Sequence, residues 1–383
     1  MGDTSAAFLS EQEVLIRDSA RKVAAEVVAP TAAERDRTCA WPRGELKAVA
    51  ELGFLGMLIP EEYGGSGSSS SFVDYCLAIE EFAAADAGFA TLIHVHNTMA
   101  GMLAKVGSEE QKRRYLPALA SGEKIGATLF TEPHAGSDTA AFRTTARREE
   151  SHYVVNGSKQ FISNGSEAGV AFVLAVTDKT AGRNGMSLLL AEPSEPGYIV
   201  ARIEHKLGQR SAHVAQIQLE NCRVPIENLV GDEGGGYKLV MSLLSEGRVA
   251  IGAVAVGTAR AALEAAVRYA REREAYGAPI IKLQGVAFDL ADMATQVEVA
   301  RQFMIHAARL CEAGIPCAKE ASMAKLFASE MAEKVCSDAL QIHGGYGYVN
   351  DFPVERYYRD VRVTKIYEGT SHIQKLIISR GLV

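Results

Sequence analysis

The apolar residues of this chain change their period twice, and that alternation limits the folds open to it more than any other feature. From Ser10 to about Leu119 they recur at helical spacing, as in Val14, Leu15, Val23 and Val27. Ser10 followed by Glu13 is a capping-box pair, so a first helix is expected to begin there. From about Lys124 to Asp232 the pattern turns into short β-rich runs. HYVVNGSKQFIS, VAFVLAVT, MSLLLAE and VAQIQLENCRV are parted by clusters of Gly, Asn, Pro and Ser. After Gly234-Gly235-Gly236 the helical period returns, in segments near 237–274, 282–313, 318–343 and 371–380. Long apolar helices with short connections suggest an antiparallel four-helix bundle. The expected architecture is a multidomain α+β chain. It has a helical domain over 1–123, an antiparallel β barrel or sandwich over 124–232, and a helical bundle over 233–383.

A chain of 383 residues is longer than one core usually grows, which fits several subdomains. No GxGxxG follows a strand and opens a helix, so a doubly wound nucleotide fold is not expected. Gly344-Gly345-Tyr346-Gly347 lies between helical segments, where glycine permits a tight turn or a close backbone approach. The stretch from Pro60 to Ser71 reads as a loop between helices. Forty Lys and Arg against 47 Asp and Glu give a net charge of −7, and no basic run offers a footprint for nucleic acid. The six cysteines, at 39, 76, 222, 311, 317 and 336, form no CxxC pair and read as reduced thiols of a cytosolic protein. The opening residues have neither a basic, apolar leader nor an Arg-rich one. No window reads as the roughly 18 apolar residues of a membrane span. A cytoplasmic location, with no membrane partner, is the expectation.

Five segments carry a resemblance: TLFTEPHAGSD at 128–138, NGSKQFISNG at 156–165, REREAYG at 271–277, QIHGGYGY at 341–348 and YRDVRVTKIYEGTSHIQKLI at 358–377. In this order and spacing they resemble the acyl-CoA dehydrogenase family, most closely its short-chain and general bacterial branch. The resemblance implies the acyl-CoA dehydrogenase fold, with FAD held between the β domain and the C-terminal bundle. It implies that Thr128, Phe130 and Thr131 meet the flavin ring, followed by Phe161 and by Ser163, whose hydroxyl would lie near N5. The family commonly has Trp or Tyr at 161; Phe keeps the aromatic wall and loses a polar handle. Arg273 matches a position that reaches the FAD pyrophosphate of a neighbouring subunit, where a guanidinium suits paired phosphate oxygens. Gln284, Gln341, Gly344 and Gly345 match further cofactor positions, and Thr370, Ser371 and His372 the last of them, although the family usually has Gln or Glu at 372. Ser137 matches a contact to both cofactor and substrate, and Arg248 and Gly369 match substrate contacts. These cross-subunit positions imply a homo-oligomer, expected to be a homotetramer. No metal is implied.

The implied reaction is conversion of an acyl-CoA to its trans-2-enoyl form, as in fatty-acid β-oxidation, with electrons passed to an electron-transferring flavoprotein. The α-proton of a thioester is weakly acidic, so its removal needs a carboxylate held against it in a water-poor site. Glu368 of IYEGT matches the position of that base. Glu246 of LLSEGR lies one residue before the alternative position, which falls on Gly247; one helical residue is about 100° of rotation, enough to turn the carboxylate away. A thioester on a carrier protein presents the same pantetheine, so an acyl or aminoacyl carrier-protein dehydrogenase is the alternative. Desulfination or nucleic-acid binding fits less well, because IYEGT is intact and no basic appendage is present. The preferred substrate is expected to be a monocarboxylic, short to medium acyl thioester. No Lys or Arg occurs from Asp86 to Ala104, and the place of a distal-carboxylate partner falls on Phe89 or Ala90. His94 and His96 lie in a helical segment, where residues two apart diverge, so they read as structural histidines or as a polar contact to the acyl group.

Overall fold

The structure is a computed structural model that describes residues 8–67 and 69–382; the first seven residues, on which the expectation of no leader partly rests, lie outside it. Six helices come first: α1 (Glu11–Val23), α2 (Ala29–Thr38), α3 (Arg43–Glu51), α4 (Phe72–Ala85), α5 (Ala87–Val106) and α6 (Glu109–Ala120). A π-helical turn, Ala24–Val28, joins α1 to α2. Three of these helices start where a serine can satisfy their free N–H groups. Ser10 with Glu13, Ser71 with Asp74 and Ser108 with Gln111 each form a complete capping box.

Eight strands follow: β1 (Gly126–Leu129), β2 (Thr145–Arg148), β3 (His152–Ser163), β4 (Val170–Val176), β5 (Met186–Ala191), β6 (Tyr198–Ile203), β7 (Val214–Pro225) and β8 (Leu229–Val230). They form one sheet in the order β6-β7-β3-β2-β4-β5-β8, with β1 paired to β4. Pairing is mostly antiparallel, but β1 and β2 each run parallel to β4. The continuous apolar runs of β4 and β5 have a simple cause, since both faces are covered. Phe172 and Leu174 pack with Tyr115, Leu116 and Leu119 of α6, while Ala171 and Val173 pack with Ile217 and Leu219 of β7.

The chain ends in α7 (Gly236–Glu272), α8 (Gln284–Glu312), α9 (Ala318–His343), α10 (Val354–Val361) and α11 (Ser371–Arg380). Helix α7 is the axis of the molecule, sharing one core with α4 and α5 and a second with α8 and α9. At Gly257 an added Cβ would lie 2.1 Å from the Glu80 carbonyl oxygen, so α4 and α7 cross at near backbone contact. Contrary to the expectation of no such window, Leu244–Glu272 is long and apolar enough by composition to cross a bilayer, at mean hydropathy 1.4. Its window is 83% buried, and its alanines and valines are there to let four helices pack closely.

The sheet is tied to the N-terminal helices by two buried side chains. Asn164 Nδ2 donates to the carbonyls of Leu92 and Gly126, both at 3.1 Å. His96 accepts from the Gly126 N–H at Nδ1 (3.1 Å) and lies 3.2 Å from the Leu55 carbonyl at Nε2. Burial pushes its imidazole down to about 4, so the ring is neutral and both nitrogens are used. His96 is structural.

Candidate active site

Between Ile366 and α11 the backbone makes a turn that most side chains would avoid. Glu368 has φ +53 and Gly369 φ +93, two successive left-handed residues, the first of them with a full side chain. A non-glycine residue there costs on the order of 1 kcal/mol or more, so the surroundings must hold it. Three donors do so. Gln374 Nε2 reaches the carbonyls of Glu368 (3.1 Å) and Gly369 (2.8 Å), and Lys325 Nζ donates to Gly369 at 2.7 Å. Thr370 then caps α11, its hydroxyl accepting from the Ile373 N–H. Tyr367 anchors the turn from the other side, with its hydroxyl 3.3 Å from Thr91 Oγ1 and in reach of Gln209.

Sequence reasoning missed Lys325 and Gln374. A signal for the first exists: it is a lone lysine on the buried alanine face of α9, among Ala321, Ala324 and Ala328. Burial pushes its amine down to about 8, against the pull of Glu368.

The turn delivers the Glu368 carboxylate into a space framed by α5, α7 and α9, with its side chain still 24% accessible. Oε1 lies 3.7 Å from His94 Nε2 of α5. Oε2 lies over Gly247 of α7, where an added Cβ would come within 2.8 Å of it. Burial pushes this carboxyl up, but His94, Arg248 and Lys325 pull it down further, and it is held below the usual carboxylate range. Arg248 is itself buried; desolvation pushes its pKa down and Glu368 restores part of it. Its Nε has no hydrogen-bond partner among the described residues. A carboxylate kept ionised in a partly buried site, with one oxygen free of hydrogen bonds, is the arrangement a general base needs. Glu246, by contrast, pairs with Lys105 at 2.5 Å and turns away from this space.

Beside the site, β3 breaks its register with β7 between Lys159 and Ile162. The bulge puts Phe161 in a left-handed conformation (φ +59) with 65% of its surface exposed. The Gln160 N–H donates to the Thr131 carbonyl at 2.9 Å, which joins the segment of Phe161 and Ser163 to that of Thr128, Phe130 and Thr131. Below them Lys159, fully buried, bonds Glu132 (2.9 Å) and the carbonyls of Phe130 and Leu174.

The remaining expected residues fall elsewhere. Ser137 and His372 are exposed, and Ser371 donates to Glu330 at 2.8 Å. Arg273, Gln284, Gln341, Gly344 and Gly345 are exposed at the far end of the bundle, with the Arg273 guanidinium 5.9 Å from the Tyr346 ring centre. Gly344, at φ +57, ends α9. Arg273 follows Arg248 by 25 residues along α7, roughly 38 Å at the helical rise. Arg273 therefore does not reach the Glu368 carboxylate of its own chain.

Comparison with known proteins gives three family-model matches. Residues 10–123 match the acyl-CoA dehydrogenase N-terminal domain, 127–222 the middle domain and 234–383 the C-terminal domain. An acyl-CoA dehydrogenase of Bacillus subtilis is 44% identical, with 98% of this chain and 99% of the relative covered. Butyryl-CoA dehydrogenase from Megasphaera elsdenii superposes with a TM-score of 0.95 at 37% identity, covering 98% of both chains. A chain solved in a study of the electron transferring flavoprotein of Acidaminococcus fermentans gives 0.96 at 43% identity, again with 98% of both covered.

Proposed function

The chain belongs to the acyl-CoA dehydrogenase family, and on that premise we propose how its own residues perform the reaction. It is an oxidoreductase that dehydrogenates acyl-CoA thioesters, in a family that depends on FAD. FAD, when bound, supplies the acceptor for the β-hydride. Glu368 is the base: the Cα–H bond breaks, an O–H bond forms on the carboxylate oxygen over Gly247, and the electron pair stays with the thioester. The charge developing on the thioester oxygen meets the Glu368 backbone N–H, with Arg248 and Ser137 as further substrate contacts beside the Gly369 backbone. The observation that carries this reading is the ionised Glu368 carboxylate, framed by Gly247 and Arg248 and carried on a strained turn whose carbonyls Gln374 and Lys325 hold.

The residues fit FAD. An exposed aromatic ring in a left-handed backbone, beside the hydroxyl-bearing Thr128, Thr131 and Ser163, is a wall suited to a planar partner. Phe130 belongs to the same segment. Arg273 has no carboxylate partner among the described residues, as a phosphate contact requires. We assign Arg273, Gln284, Gln341, Gly344 and Gly345 to the cofactor of a second copy, and Thr370, Ser371 and His372 to the last contacts. The roughly 38 Å between the two groups supports a homo-oligomer, and a homotetramer is proposed. Tyr276 and Tyr348, 95% and 86% exposed beside the distal group, are candidates for burial in it. Arg273→Ala is expected to weaken FAD retention and assembly together, measured as flavin per chain after dialysis and as mass in solution. Both unchanged would refute the shared contact.

We further propose a cytoplasmic enzyme of fatty-acid β-oxidation that hands electrons to an electron-transferring flavoprotein, and a monocarboxylic, short to medium acyl group. Phe89 and Ala90 are both fully buried, and no Lys or Arg accompanies them on α5 before Lys105. The purified protein should carry about one FAD per chain, bleached without oxygen by acyl-CoA. Across butyryl-, hexanoyl-, octanoyl-, isobutyryl- and glutaryl-CoA, kcat/KM should rise and then fall. Each buried CH₂ adds up to about 0.8 kcal/mol until the pocket is full. Glutaryl-CoA as the best substrate would sink this assignment, and a folded protein unable to take up FAD would end the enzyme reading.

A further inference from the structure

We infer that His94 is a positioning residue for the base: its Nε2–H holds Oε1 of Glu368, so that Oε2 faces the reacting carbon. The inference rests on the assignment of Glu368 as the base.

The chain supplies its own control. His96, two residues on, is what a merely structural histidine looks like here, with both ring nitrogens in hydrogen bonds. His94 is just as buried, 1% exposed, yet only its Nδ1 is satisfied, by Tyr75 Oη at 3.1 Å and Thr98 Oγ1 at 3.3 Å. Its Nε2 is buried without a partner among the described residues, and what it faces is Glu368 Oε1 at 3.7 Å. A buried polar atom left without a bond is uncommon and asks for an explanation. Hydrogen bonds of catalytic groups are often long in the unliganded state and tighten in the complex.

The tautomer follows from the partners. Tyr75 is fully buried and its phenol is pushed well above its ordinary value, chiefly by desolvation, so it keeps its proton and donates it. Nδ1 of His94, with Thr98 Oγ1 beside it, accepts from this hydroxyl, which places the ring proton on Nε2, aimed at the carboxylate. This tautomer already presents an N–H donor to the carboxylate.

The other charged groups around Glu368 do not duplicate this. Among the described residues, His94 is the only basic side chain within 4.0 Å of the carboxylate. Arg248 of α7 and Lys325 of α9 act on it at longer range, and the Lys325 amine is committed to the Gly369 carbonyl. Tyr367, partly buried, is pushed up to about 12 and contributes no charge at neutral pH. On the far side of Tyr75, Glu246 is neutralised by Lys105. With one oxygen held by His94 and the other lying over Gly247, the carboxylate has one orientation for taking a proton.

Glu368 acts as the anion, so kcat/KM declines as pH falls through its pKa. A donor to the anion lowers that pKa; removing the donor raises it, and the decline begins at higher pH. The test uses FAD-replete wild type, His94→Leu, His94→Gln and Tyr75→Phe with butyryl-CoA and an artificial acceptor. His94→Leu, similar in bulk but without a donor, should lower kcat on the order of 10- to 100-fold with a much smaller change in KM, and move the acid limb upward. His94→Gln, whose amide N–H reaches a similar place, should recover most of both. Tyr75→Phe, which frees the tautomer but leaves the ring, should move the acid limb the same way by less. It also keeps the inference testable if His94→Leu does not fold. An unchanged kcat and acid limb in His94→Leu would overturn the inference. Equal losses in His94→Leu and His94→Gln with the acid limb unmoved would do the same, leaving His94 a space-filler. Failure of the wild type to react with any acyl-CoA would instead overturn the assignment of function.

Discussion

Glu368→Gln is expected to lower kcat by more than the ~10²–10⁴-fold typical of losing a general base, because the thioester α-proton is so weakly acidic. The amide keeps the shape and the turn. The bonds from Gln374 and Lys325 go to the backbone carbonyls of Glu368 and Gly369, not to the carboxylate, so they survive the change. FAD content, melting temperature and binding of a non-reacting acyl-CoA analogue should therefore stay near wild type while reduction of the flavin by substrate disappears. Glu246→Gln is the control. Its carboxylate is partly exposed and paired with Lys105, so its loss should cost turnover little. If Glu246→Gln were the inactive protein and Glu368→Gln the active one, the assignment of the base would be wrong.

The second large effect is expected from a residue with no side chain. Gly247→Val would place a Cβ 2.8 Å from Oε2 and 3.4 Å from Cδ of Glu368. The contact is tighter than real carbon and oxygen atoms allow, and Gly247 is fixed in the middle of α7, so the carboxylate has to move. A displacement of about 1 Å of a reacting group can cost on the order of 10²-fold in kcat. Gly247→Ala, with the same Cβ and no branches, should lose less, and neither variant should change FAD content, since position 247 faces the acid. Rapid-mixing measurement of flavin reduction under saturating butyryl-CoA reads this directly. Wild-type rates in Gly247→Val would mean that the acid does not work from the place seen here.

Much of this was legible in the residues. The two changes of hydrophobic period gave helix, sheet and helix in order, the Ser10–Glu13 pair marked the start of α1, and IYEGT marked the turn that carries the acid. What the residues did not disclose is long-range. His94 and Glu368 are 274 positions apart, and helical periodicity says that His94 and His96 diverge without saying what each meets. For His96 the answer is a carbonyl and an amide; for His94 it is the Glu368 carboxylate. The same limit hid the partners of Glu246 and Lys325, because a charged residue on a mostly apolar helix face looks alike whether it is solvated or paired in the interior. The apolar character of α7 was underread for a different reason. Its alanines contribute little individually, and only averaged over a long window does Leu244–Glu272 reach the hydropathy of a membrane span.

Phe161 and Glu368 share an uneconomical backbone: each sits at positive φ, where glycine would be at ease. A stability screen of this enzyme will find both positions. Phe161→Gly or Glu368→Gly would release local strain of about 1 kcal/mol or more apiece, and by thermal denaturation such variants would rank as improvements or as neutral. By turnover they would rank last, one lacking the aromatic wall and the other the base. Any effort to make the protein hardier should therefore leave these two positions fixed and seek its gains elsewhere, for instance at exposed loop glycines without positive φ.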